Sequence, residues 1–257
     1  MRARARASDY GPDLAFVHHA GYGEHARGSA AGLLERLRAA RLRGGLVIDL
    51  GCGSGIWARE LLERGYSVLG VDASRAMLAL ARRTAPGARF VHGSAFEVEL
   101  PQCAAVTSLG EALGYLPPGA ARPPAFLPLF RRVHRALLPG GLFAFDLLVR
   151  GRGKPLGFRS WRQGQGWAVL SESREVVERA QLERRIVTFR RSGRTWRRSE
   201  ELHRVRVADS GGVVEALRSA GFRVSTARNY GAHRLLERRL AFFARKPGRT
   251  SAGKRAK

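Results

Sequence analysis

Leu46-Val47-Ile48-Asp49-Leu50-Gly51-Cys52-Gly53-Ser54-Gly55-Ile56 decides how this chain is read. It opens on an apolar run of strand length broken by one acid, and three glycines follow at alternate positions. A short apolar run bounded by glycines predicts a buried strand over 46–50. Glycines open backbone conformations closed to other residues and let a ligand approach the main chain. Residues 51–55 therefore predict a tight turn into the N-terminus of a helix over 56–63. Ser67 to Val71 predicts a second strand, with Asp72 at its end, 21 residues after Gly51. A carboxylate there can accept from both hydroxyls of a ribose. The loop is no dinucleotide fingerprint, because its third glycine comes one position early and Ile56 stands in its place. Asp49 would repel a pyrophosphate and suits a nucleoside cofactor with a positive end.

Outward from this core, the rhythm of short strands and amphipathic helices continues. A helix is predicted over 29–43, one capped by Ser74 running through Ala81, and one over 125–138. Strands are predicted over 89–92, 104–108 and 142–148. Strands alternating with helices predict a parallel sheet covered on both faces. From Phe158 to Val207 the helical period vanishes. β-rich runs at 167–170, 182–190 and 196–207, with Ser192-Gly193 as a turn, predict a small antiparallel insertion over 155–208. A helix over 212–220 and strands over 222–227 and 239–244 resume the first pattern. The expected fold class is α/β: a doubly wound, mostly parallel sheet of seven strands in one domain over 1–246, with the insertion after the fifth strand. Residues 247–257 are basic and lack apolar content, and are expected to be a disordered tail.

The chain has 257 residues, 44% hydrophobic and 26% charged, which suits a protein with a sizeable core. No uncharged apolar run reaches membrane-span length, and the first residues carry arginines without a following apolar stretch, so neither a span nor a secretory signal is expected. A cytoplasmic location fits. Cys52 and Cys103 are the only cysteines and neither has a close cysteine partner, which excludes a disulfide scaffold and a cysteine-rich zinc site. No metal site is expected. The net charge is +25, with +7 in residues 1–150 and +18 in 151–257. A nucleic-acid partner is one reading of that charge. Against it, 42 of the 46 basic residues are arginine, which fits an arginine-rich composition spread over solvated faces.

The glycine turn with Asp49, the run Gly70-Val71-Asp72-Ala73-Ser74, the segment Gly93-Ser94-Ala95-Phe96 and the turn Leu137-Leu138-Pro139-Gly140-Gly141-Leu142 together resemble the class I S-adenosylmethionine-dependent methyltransferases. The resemblance covers residues 30–148 and extends more loosely to the last two strands. It implies a Rossmann-like fold with S-adenosylmethionine as cofactor. It implies that Gly51, Cys52 and Gly53 pass beneath the methionine part, that Asp49 faces the amino end and that Asp72 holds the ribose. Ala73 and Met77 would lie against the adenine, with the turn Ser94-Ala95-Phe96 at its edge. Ser94 departs from the family, where an Asp is usual, and a neutral hydroxyl makes the weaker bond.

Methyl transfer needs alignment of acceptor, methyl and sulfur, and an acceptor in its nucleophilic protonation state. The segment after the fourth strand, Thr107-Ser108-Leu109-Gly110-Glu111-Ala112-Leu113-Gly114-Tyr115, lacks the Asn/Asp-Pro-Pro-aromatic run of enzymes acting on base amino groups. Neither cysteine is placed as a nucleophile. The run looks like that of small-molecule methyltransferases, with Ser108 and Leu109 near the methionine amino group. Glu111 is expected either to orient a substrate or to serve as an acid at a helix N-terminus. In such enzymes the segment before the first strand, here 1–43, forms a helical lid. Tyr22 or Arg27 would touch the methionine carboxylate, and His18 is the candidate base. Arg159, Trp161 and Trp167 with Tyr230 and His233 form a third candidate wall, while His92, His134 and His203 are assigned structural roles. The expected reaction is methylation of an oxygen or nitrogen of a small acceptor by a monomer or homodimer. The alternatives are an RNA methyltransferase using the basic second half, or a cofactor-binding module without turnover.

Overall fold

Strand β1 (Gly45–Leu50) is the hub of the molecule, and its alternating side chains feed two cores. Val47 packs with Leu33 and Leu37 of helix α2 (Glu24–Ala39) and with Trp57 and Leu61 of α3 (Ile56–Leu62). Ile48 and Leu50 join Phe130 of α5 (Phe126–Ala136) and Leu217 of α6 (Ser210–Ser219). The computed structural model describes residues 10–117, 119–120, 122–151 and 153–248. Residues 1–9 of the expected lid and the tail from 249 onward lie outside the described residues.

β1 pairs in parallel with β2 (Tyr66–Asp72) and β4 (Cys103–Ser108); β3 (Arg89–His92) extends one side and β5 (Leu137–Leu148) the other. Helix α4 (Arg75–Thr84) connects β2 to β3. With β10 (Arg223–Ala227) and β13 (Arg239–Arg245) the order is β10-β13-β5-β4-β1-β2-β3. β13 alone runs against its neighbours. This is the doubly wound, mostly parallel seven-stranded sheet expected from the sequence.

Several boundaries differ from expectation, and two of them have a clear local cause. α2 ends at Ala39 because Arg41 takes a left-handed conformation (φ 60°) and the Leu42 amide bonds back to the Leu37 carbonyl. β5 begins at Leu137, five residues early. The turn Pro139-Gly140-Gly141 is a bulge inside the strand, and the register against β4 shifts between the Cys103 and Ala105 pairs.

After β5 the chain builds a separate antiparallel sheet, β6 (Gly157–Gly164), β7 (Trp167–Val176), β8 (Gln181–Ser192) and β9 (Thr195–Arg206). β6 was not legible in the sequence because this edge strand buries no side chain fully. Helix α1 (Pro12–Gly21) fastens the sheet to the rest, with Leu14 and Val17 against Trp167, Val169 and Ile186. Trp167 is therefore core, while Arg159 pairs with Glu172 in the open and Trp161 is 68% exposed. None of the three lines the mouth of the main sheet.

A hairpin of β11 (Asn229–Tyr230) and β12 (His233–Arg234) presses on α2 at Gly32. A Cβ there would sit 2.2 Å from the Tyr230 carbonyl carbon and 2.3 Å from the Gly231 nitrogen, and both are backbone atoms. Gly32→Ala is expected to cost about 2–3 kcal/mol of stability through overpacking. Urea unfolding measures it, and an unchanged midpoint would show that the hairpin retreats freely. No helix among the described residues is long and apolar enough to cross a membrane.

Candidate active site

The C-terminal ends of β1, β2, β4 and β5 converge on one mouth. The amides of Gly51 and Cys52 bond to the Val71 carbonyl at 2.7 and 3.0 Å, folding the glycine turn against β2. Gly51 has φ 74° and a Cβ there would lie 2.4 Å from that of Ala112, so only glycine fits beneath the loop after β4. Gly53 has φ 53° and faces open space, as a backbone that admits a ligand must. Asp72 braces the turn: its Oδ2 accepts from the Gly53 amide and its Oδ1 from the Ser74 amide, each at 2.8 Å. Ser74 caps α4 by accepting from the Met77 amide. Its hydroxyl also donates to the Tyr10 carbonyl at 2.7 Å, tying the N-terminal segment to this end of the site.

Asp49 is 2% exposed, and the Thr107 hydroxyl donates to it at 2.8 Å while the Trp57 indole donates to Thr107. Burial pushes its carboxyl up to about 7; the Thr107 bond opposes this and the Asp72 charge adds to it. A buried acid so poorly compensated suits a cationic group nearby. Ser94 accepts from the Phe96 amide, and Arg132 donates to the carbonyls of Ala95 and Phe96, which fixes that turn. Ala73 is anchored through its carbonyl to His92. Ser108 is wholly buried and donates to the Leu50 carbonyl at 2.6 Å, and Leu109 packs beside the α2 core. Met77 is 2% exposed and so belongs to the interior in this structure. Cys52 is also buried, and desolvation raises its thiol well above the usual range, so it offers no thiolate.

The loop after β4 departs most from expectation. Asp146 of β5, fully buried, accepts from the amides of Gly110 and Glu111 and from the Tyr230 hydroxyl. His25 stands 3.6 Å from it and meets His233 at 3.2 Å. Glu111 occupies a left-handed position (φ 59°) and its carboxylate lies between Arg184 at 3.1 Å and Arg239 at 3.0 Å. Glu111 directly precedes the short 3-10 helix Ala112–Gly114, and its carboxylate is buried and paired with both guanidiniums. It locks the loop.

Above this loop lies a cluster drawn from distant elements. The hydroxyls of Tyr10 and Tyr115 are 3.0 Å apart, and Arg184 donates to Tyr115. His18 packs edge-on against Tyr10 and stacks on Tyr22, which Arg162 covers. His203 meets both Tyr10 and Tyr115 and holds Glu201 at 2.8 Å. The structural role assigned to His203 from the sequence overlooked this partner. His19 touches the glycine turn through Ser54 at 2.9 Å, and Arg27 lies beside Gly23.

His18 keeps its Nδ1 buried without a partner. Burial, then the neighbouring imidazoles and Arg184, lower its pKa to about 4, so it is neutral near pH 7 and a weak base. The linkage sign follows: the unfolded chain takes up this proton first, so stability present above about pH 6.5 is lost as pH falls toward 4. Complete loss amounts to about 3 kcal/mol, and we expect about 2 because part of the ring meets solvent. Comparing wild type with His18→Gln by calorimetry at pH 7 and pH 4.5 isolates it. Equal pH dependence in both proteins would refute the assignment.

Residues 47–141 match the family model described as a methyltransferase domain. The chain is 32% identical over 113 residues to the dTDP-3-amino-3,6-dideoxy-α-D-glucopyranose N,N-dimethyltransferase of Streptomyces fradiae, over 42% of this chain and 44% of that one. It is 33% identical over 108 residues to the ubiquinone biosynthesis O-methyltransferase of Pseudomonas paraeruginosa, over 40% and 44% of the two chains. The match thus spans less than half the length of these relatives. The crystal structure of the sugar N-methyltransferase KedS8 from a Streptoalloteichus species superposes with a TM-score of 0.74 at 20% identity, over 96% of this chain and 99% of that one, a likeness of fold. Residues 47–141 thus match a methyltransferase domain, and the chain around them shares the class I fold of solved S-adenosylmethionine-dependent methyltransferases.

Proposed function

We propose that this protein transfers a methyl group from S-adenosylmethionine to an oxygen or nitrogen of a small acceptor. One observation carries the reading: a glycine turn with left-handed Gly51 and Gly53, flanked by the buried acid Asp49 and by Asp72 at the next strand end. The residues suit that cofactor. Asp49, uncompensated by a basic partner among the groups acting on it, matches a cationic methionine end. On this reading Asp72 holds the ribose hydroxyls and the turn 94–96 meets the adenine edge. When bound, the cofactor supplies a methyl group on a positively charged sulfur. The protein's part is to hold it, to seat the acceptor under the Tyr10, His18 and Tyr115 cluster, and to keep water out with the N-terminal helices as a lid. The matched relatives, named as an amino-sugar N,N-dimethyltransferase and a ubiquinone biosynthesis O-methyltransferase, support a small acceptor bearing nitrogen or oxygen.

The test incubates the protein with S-adenosylmethionine and three acceptors: dTDP-3-amino-3,6-dideoxy-α-D-glucopyranose, a small dihydroxyphenol and total RNA. Production of S-adenosylhomocysteine with either small molecule is expected, and turnover with RNA alone would overturn the reading. Asp72→Ala is expected to weaken S-adenosylhomocysteine binding by about 1.5–3 kcal/mol, through the lost charged hydrogen bonds and the loosened Gly53 turn. Calorimetry that finds unchanged affinity in a folded variant would remove Asp72 from the site.

A further inference from the structure

We infer that Glu201 and His203 form a carboxylate–imidazole pair that removes the proton of the methyl acceptor, with His203 the catalytic residue and Glu201 its positioning residue. The inference rests on the methyl-transfer reading above. Residues 201 and 203 project from the same face of β9, toward the mouth of the main sheet, where Tyr10 and Tyr115 flank the imidazole. Both side chains are almost wholly buried, at 6% and 2% exposure. Glu201 is itself fixed, since its second oxygen accepts from the Gly11 amide at 3.0 Å. The 2.8 Å bond to His203 Nε2 requires that nitrogen to carry the hydrogen. Nδ1 is then a lone pair, and it is buried without a partner.

A buried acceptor atom left unpaired is costly and calls for a donor. An acceptor hydroxyl or ammonium supplies one. The groups facing His203 are Glu201 on its own strand, Tyr10 from the N-terminal segment, His18 of α1, Tyr115 after β4 and Arg184, its register partner on β8. Among the two imidazoles in this cluster, only His203 has a carboxylate to hold the charge of a captured proton. His18 faces Arg184 and other imidazoles instead. In the step, the acceptor's O–H or N–H bond breaks and the Nδ1–H bond forms. The electron pair left on the acceptor makes the bond to the methyl carbon, and the sulfur keeps the pair of the bond it gives up. Glu201 balances the imidazolium until the proton passes to solvent.

The experiment uses the full chain labelled with ¹⁵N-histidine, with His203 assigned by its disappearance in His203→Gln. The expected result is a single Nε2–H tautomer for His203 at pH 7.5, and appearance of the Nδ1–H form in Glu201→Gln. With the small acceptor that turns over in the assay above, His203→Gln is expected to lower kcat by about 10²–10⁴-fold. S-adenosylhomocysteine affinity should stay within twofold, and added imidazole should restore turnover to His203→Ala. An Nδ1–H tautomer in the wild type, or kcat within threefold in a folded His203→Gln, would overturn the inference. If no acceptor turns over, the methyl-transfer reading fails, and with it this one; turnover with a Nδ1–H tautomer sinks this one alone.

Discussion

Asp49→Asn is expected to stabilise the ligand-free protein at pH 8 by about 3 kcal/mol. A carboxyl raised from 3.8 to about 7 binds its proton more tightly in the folded state than in the unfolded chain. Stability from that difference is complete below about pH 4 and lost as pH rises through 7, so at pH 8 the wild type carries a buried charge at full cost. Asparagine keeps an oxygen for the Thr107 hydroxyl and removes the charge. For a chain of this size the gain corresponds to a rise in Tm of about 6–12 °C. The gain should shrink steadily toward pH 5. Scanning calorimetry of both proteins at pH 8 and pH 5 provides the check, and equal Tm at pH 8 would mean that solvent or a cation already compensates Asp49. The same substitution is expected to weaken S-adenosylmethionine binding, so stability and function oppose each other at this position.

Glu111→Gln is expected to act in the opposite direction, with a loss of about 3 kcal/mol. The carboxylate pairs with both Arg184 and Arg239, whose side chains are 19% and 14% exposed. Glutamine keeps the shape and leaves two like charges facing each other in a poorly solvated place. The damage should centre on the loop after β4, since Asp146 continues to hold its amides. Urea unfolding monitored by circular dichroism gives the magnitude, and hydrogen exchange at Gly110 to Tyr115 gives the location. A loss under about 0.5 kcal/mol would reclassify the contact as an ordinary surface pair.

These two acids show which parts of the site could be read from the sequence. Asp49, the glycines and Asp72 lie in one strand–turn–helix–strand unit, where short-range pattern and backbone demands coincide. The loop after β4 depends on pairings such as Glu111 with Arg184 and Arg239, which join separate regions of the chain and leave no periodic trace. Two signals were present and unused. Asp146 is the one charged residue in the apolar run 142–148, and a lone buried acid in such a strand needs partners. Glu201-Leu202-His203 in a predicted strand places acid and imidazole on the same face. β6 gave no signal, because an exposed edge strand needs no apolar alternation.

The reversed strand β13 has a consequence for how the protein is made. It lies between β5 and β10, pairing with both, yet it is synthesised after the whole second sheet, α6 and β10. Until it emerges from the ribosome, β5 exposes a long edge rich in phenylalanine, including Phe143 and Phe145, with no strand to cover it. Such an edge is a template for pairing with other chains. A chain halted before residue 239 should be a substrate for chaperones rather than a smaller folded protein, and the central sheet closes only after β13 has been made.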